Sequence, residues 1–113
     1  MLEALIILTF ATAMLLGGLN YWLSHRRGRA QPWLGAVHGL LNLSGMGVLL
    51  YRILTGPENL WFNSALFLFI LALIGGGFAW LVRERGEAPI LPLVLLHAGT
   101  GVVAFVLLLG GLR

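Results

Sequence analysis

The sequence predicts an all-α membrane protein, a four-transmembrane-helix up-down-up-down bundle built from two tandem helical hairpins. Three observations lead there. Hydrophobic residues make up 59% of the 113 and charged ones only 10%, where a soluble domain would carry about 25% charged residues. Four apolar segments, each near the ~20 residues needed to cross a hydrocarbon core, are separated only by short polar turns. The second half of the chain then restates the first. Residues 1–113 are read as one transmembrane domain, with hairpin repeats at 2–54 and 60–112.

The first apolar segment covers 2–24. It opens with Glu3 and ends in Tyr21-Trp22, whereas a cleaved signal peptide has a basic start and a small-residue cleavage site. It is expected to be a mature span, stopped by His25-Arg26-Arg27-Gly28-Arg29. Gln31-Pro32-Trp33 opens the second span, with proline at a tolerated helix start, and that span runs to about Leu54. Thr55-Gly56-Pro57-Glu58-Asn59 reads as a turn by composition. The third span runs from about Leu60 to Val82 and closes at Arg83-Glu84-Arg85-Gly86-Glu87. Pro89 and Pro92 introduce the fourth, which reaches Leu112.

Arginine placement sets the expected orientation. Arg26, Arg27, Arg29, Arg83 and Arg85 fall in the first and third loops, against Arg52 and Arg113 on the other side. Positive-inside counting puts the arginine loops in the cytoplasm and both termini on the non-cytoplasmic side, in what is expected to be a bacterial inner membrane. Trp22, Trp33 and Trp80 near one face, with Tyr51 and Trp61 near the other, read as interfacial anchors. All seven basic residues are arginine. They flank spans and form no patch on a soluble fold, so nucleic acid is not an expected partner. There is no cysteine, which excludes disulfides, thiolate metal sites and covalent c-type haem attachment. No acid–base pair or nucleophile constellation is present, so no catalytic residues are assigned.

The repeat is visible in residues that are hard to match by chance. Shifted by 58 positions, Leu15-x-Gly17-Gly18 meets Leu73-x-Gly75-Gly76, Trp22-Leu23 meets Trp80-Leu81, and Arg27-Gly28-x-Ala30 meets Arg85-Gly86-x-Ala88. One extra residue in the second loop moves the shift to 59, and His38 meets His97. Same-direction repeats are related by a pseudo-two-fold axis along the membrane normal. The second and fourth helices then run parallel, as diagonal neighbours in a square bundle. Each histidine lies about 12 Å in from the arginine loops at 1.5 Å per residue. At that depth the first helix offers Gly17 and Gly18, and the third Gly75, Gly76 and Gly77. Gly35, Asn42 and Gly45 share a helix face with His38, as Gly101 and Ala104 do with His97.

Small residues in membrane helices commonly serve close packing, and a single membrane histidine commonly bonds a neighbouring helix. Two histidines at one depth, level with glycines on the other two helices, point instead to a planar ligand. Neutral imidazole ligates haem iron, and bundle cores are where such sites are built.

On His38, His97 and the glycine pairs, the chain resembles the b-type membrane cytochromes, including the cytochrome b561-like proteins and the four-helix core of respiratory cytochrome b. It departs from them in having one histidine per ligand helix where many members have two. The resemblance implies one haem b, with His38 and His97 as axial ligands and room for the macrocycle made by Gly17, Gly18, Gly35, Gly75 and Gly76. Arg27, Arg29, Arg83 and Arg85 would pair with its propionates. His25 is expected to be a solvated loop residue, and Asn42 and Thr100 to bond back to their own helices. The implied function is one-electron transfer, exchanging with a quinol or a redox partner protein, and a homo-oligomer is compatible with it. Two alternatives remain at this point. One is a small four-helix transporter, although the multidrug transporters of this size have an acidic group well inside the first helix and here Glu3 sits at its edge. The other is a haem-free structural or assembly subunit of a membrane complex.

Overall fold

A computed structural model describes residues 1–29, 31–85 and 91–113. Four helices follow in order: α1 Leu2–Arg27, α2 Pro32–Thr55, α3 Leu60–Glu84 and α4 Leu91–Gly110. Each is long and apolar enough to cross a membrane, and the body is 46 Å long by 23 by 19 Å. That length matches a bilayer with its headgroups, about 40–45 Å. The architecture is the expected all-α bundle. The turn at Gly86-Glu87, Pro89, and the Ala30 and Ala88 matches of the repeat lie outside the described residues.

Local chemistry sets the helix ends. α1 runs one turn past the apolar segment and stops at Gly28, whose φ of 63° is left-handed, a conformation glycine adopts without a Cβ penalty. Pro32 starts α2, where its missing N–H costs nothing. Asn59 caps α3, its side-chain oxygen accepting from the amides of Trp61 and Phe62 at 3.0 and 3.3 Å.

α1 lies against α2, α2 against α3, and α3 against α4, while α1 and α4 approach less closely. The diagonals are therefore α1/α3 and α2/α4. Side chains cross both. Phe10 and Phe69 stack face to face across the first, with centroids 3.8 Å apart and planes 1° from parallel. His38 and His97 meet across the second, centroids 6.0 Å apart and planes at 79°. Each pair is 59 positions apart in sequence. Around the phenylalanines lies the buried core of Ile6, Leu49, Phe62, Ala65, Ala104 and Leu108. Between lipid-solvated helices, such a core holds by close van der Waals contact more than by excluding water. Gly45 admits the Phe10 ring, whose atoms come within 3.1 Å of where a Cβ would sit.

Candidate haem-ligand site

The site is built from two copies of one helix–helix contact. In the first hairpin, His38 on α2 bonds through Nδ1 to the carbonyl oxygen of Ala13 on α1, at 2.6 Å. In the second, His97 on α4 bonds through Nδ1 to the carbonyl of Ala72 on α3, at 2.7 Å. A helical carbonyl is normally hidden by the turn that follows it. Here the residue four further on is glycine in both cases, Gly17 after Ala13 and Gly76 after Ala72. A Cβ on Gly17 would lie 2.7 Å from His38 Cε1, and one on Gly76 would lie 2.9 Å from His97 Cε1. The motif is Ala-x-x-x-Gly on one helix and histidine on its hairpin partner. Its two glycines act as notches for the imidazoles.

These bonds fix the state of the rings. A backbone carbonyl only accepts, so each Nδ1 must carry the proton, and each neutral ring then has its lone pair on Nε2. A metal-bound histidine has this same arrangement, its second nitrogen tied to a carbonyl that sets tautomer and ring angle. Asn42 Nδ2 lies 3.3 Å from His38 Nε2, but its shorter bond, 2.8 Å, goes to the His38 carbonyl of its own helix. Thr100 likewise bonds back to Leu96 O at 2.7 Å. Both therefore bond to their own helices, as expected.

The donor chemistry fits haem. Among the described residues, no three His, Cys, Asp or Glu side chains converge to hold a bare ion. A macrocycle that brings its own nitrogen donors needs only an axial pair. Two imidazoles sharing one metal need about 2 Å per metal–nitrogen bond plus the radius of each ring. The 6.0 Å between ring centres is of that order.

The structure brings some of the expected residues to the site and holds others away. Gly17 and Gly76 touch the imidazoles, and Gly75 faces the His97 backbone and Cβ, where a methyl on Gly75 would lie 3.6 Å from that Cβ. Gly18 does not join them: it is exposed, with nothing within 4 Å of a Cβ. Pairing by contact is Gly17 with Gly76, a spacing of 59, one position off the spacing suggested by aligning the glycine pairs. Gly35 lies one turn toward the arginine end from His38, and a Cβ there would meet the Trp80 ring at 2.8 Å. Trp80 is thus turned into the bundle, where an interfacial anchor was expected. It follows Gly76 by one turn on the inward face of α3, and Gly35 leaves space for the indole. Trp22, Trp33, Trp61 and Tyr51 are exposed, as anchors would be.

Among the arginines, Arg83 is half-buried, and Arg27 and Arg85 are exposed. Arg27 Nη1 reaches Gln31 Oε1 at 3.5 Å. His25 is exposed and stacks near Tyr21 in the arginine-rich segment. Sequence reasoning passed over Ala13, Ala72, Phe10, Phe69 and Asn20. The first four were detectable, since all recur at a spacing of 59 with the histidines. Comparison with family models, curated proteins and solved structures finds no match to this chain.

Proposed function

We propose that this protein is a haem b-binding integral membrane electron carrier, with His38 and His97 as the axial pair of one haem per chain. The observation behind this reading is that both imidazoles, on opposite corners of one layer, have Nδ1 committed to a carbonyl and so carry the lone pair on Nε2, with Asn42 Nδ2 at 3.3 Å from that of His38. An interhelical bond alone would explain either histidine within its own hairpin. The duplication would then supply one in each hairpin, and what favours a shared ligand is that the two rings meet 6.0 Å apart across the bundle.

A bound haem would supply one-electron redox chemistry. The chain's residues do the rest. His38 and His97 would both ligate the iron, which would leave no position on it for substrate. Ala13 and Ala72 hold the rings in the ligating tautomer. Gly17 and Gly76 let the rings reach those carbonyls, with Gly75 beside them. Phe10 and Phe69 close the layer from the far end, and Trp80 packs on Gly35 toward the arginine end. α1 and α4 make the loosest of the contacts between neighbouring helices. Arg27, Arg83 and Arg85 give that end positive charge suited to carboxylates. The same charge supports an arginine end in the cytoplasm, where a quinol or a redox protein exchanges the electron.

The test is to purify the full chain from haem-replete cells, count haem per polypeptide, then reduce it and add carbon monoxide. One haem per chain and slow or absent carbonyl formation are expected. Rapid carbonyl formation would mean an open iron site and a sensor or oxygen-reacting role. Colourless protein that takes up no added haem would remove the cofactor reading.

A further inference from the structure

We propose that Asn20 donates the hydrogen bond that holds a carboxylate of the haem bound between His38 and His97, an inference that rests on the haem reading above. Asn20 continues the inward stripe of α1 that runs Phe10, Ala13, Gly17. It lies two turns beyond Ala13, about 10 Å toward the arginine end. It keeps only 8% of its surface. Its side-chain oxygen receives a long bond from Ser24 Oγ, 3.5 Å, and its amide nitrogen donates to no acceptor among the described residues. That nitrogen sits 3.5 Å from where a Cβ on Gly35 would be, beside the Trp80 ring. No fully buried polar side-chain atom among the described residues lacks a partner, so this nitrogen keeps some accessible surface, where an acceptor would favour it at membrane depth.

The repeat shows that the fold does not need this amide. Fifty-nine positions on from Asn20 stands Ala79, and the counterparts of Gly35 and Trp80 are Val94 and the exposed Tyr21. The second hairpin forms the same histidine–carbonyl bond with alanine in that place. An amide at only one of two equivalent positions, aimed inward and with no acceptor for its nitrogen among the described residues, is accounted for by a ligand. The ligand's polar edge must face the arginine end, and on haem that edge is made of carboxylates, which accept from an amide N–H.

Asn20→Ala is the natural test, because the second hairpin tolerates alanine at the matching place. Haem-loaded wild type and variant are mixed with excess apomyoglobin and the rate of haem loss is followed. Resonance Raman bands of the haem carboxylates are recorded alongside. About tenfold faster loss is expected, consistent with removing a hydrogen bond to a charged group. The carboxylate bands should shift while the low-spin axial signature is unchanged. Unchanged loss and unchanged carboxylate bands in a haem-loaded variant would overturn the Asn20 assignment alone. A wild type that binds no haem would overturn both it and the haem reading.

Discussion

The two ends of the bundle are fastened differently. At the end holding both termini, Arg52 is mostly buried and meets Glu3 at 2.8 Å, and its guanidinium lies 5.2 Å from the Phe62 ring centre. Asn59 caps α3 and donates to Gly111 O at 2.8 Å, tying the start of α3 to the end of α4. Among the described residues of the arginine end, side-chain links are long: Ser24 to Asn20, Arg27 to Gln31, and Gln31 to Arg29 O, each at 3.5 Å. Short bonds at one end keep the hairpins in register. The described links at the other are long, and in the proposed reading Asn20 turns to a ligand there. The histidine layer sits between the two regimes, with the stacked phenylalanines separating it from the fastened end.

If that division holds, substitutions should sort by layer. The largest effect belongs to the ligands. His38→Ala and His97→Ala should each abolish the low-spin haem spectrum, or leave a five-coordinate haem that binds carbon monoxide at once. Either variant keeping a wild-type spectrum would break the axial assignment. Next come the notches. Gly17→Ala or Gly76→Ala forces a methyl to within 2.7 or 2.9 Å of an imidazole carbon, which displaces the ring from its carbonyl. Losing such a supporting contact typically lowers metal affinity about 10–100-fold. Gly18→Ala, where no neighbour lies within 4 Å, should titrate with haem as the wild type does, so equal losses at all three glycines would refute the notch account.

The fastened end should respond in stability and leave the haem alone. Asn59→Ala removes a helix cap, typically worth about 1 kcal/mol, and also releases Gly111. It should lower the unfolding midpoint in detergent while haem content stays at one per chain. The smallest effect is expected from Ser24→Ala, whose bond is long. Its stability should stay within about 0.5 kcal/mol of wild type, as for most surface changes.

Much of this arrangement can be read from residue order. Span length and arginine placement define the helices, and the recurrence of one histidine per hairpin places both rings on the α2/α4 diagonal. The inward direction of a helix is harder to read. Lipid outside and side chains inside are equally apolar, so the amphipathic pattern that marks a soluble helix is weak. For that reason Trp80 reads as an anchor in the sequence although it fills the space at Gly35, and Gly18 reads like its inward neighbour Gly17. Aligning Gly17-Gly18 on Gly75-Gly76 also hides the contact register, since Gly75-Gly76-Gly77 offers a second match one residue along. The spacing of Phe10 from Phe69 and Ala13 from Ala72 resolves it.

The central claim is that His38 and His97 share one iron, and the 79° between the rings, kept on binding, would cross their planes. Electron paramagnetic resonance of the oxidised, purified protein tests this most directly, because the low-spin ferric signal depends on both the identity and the relative twist of the axial rings. The predicted result is a single, highly anisotropic low-spin species of the kind given by crossed imidazole planes, lost in both histidine variants. A high-spin signal, or no ferric haem signal in protein from haem-replete cells, would contradict it.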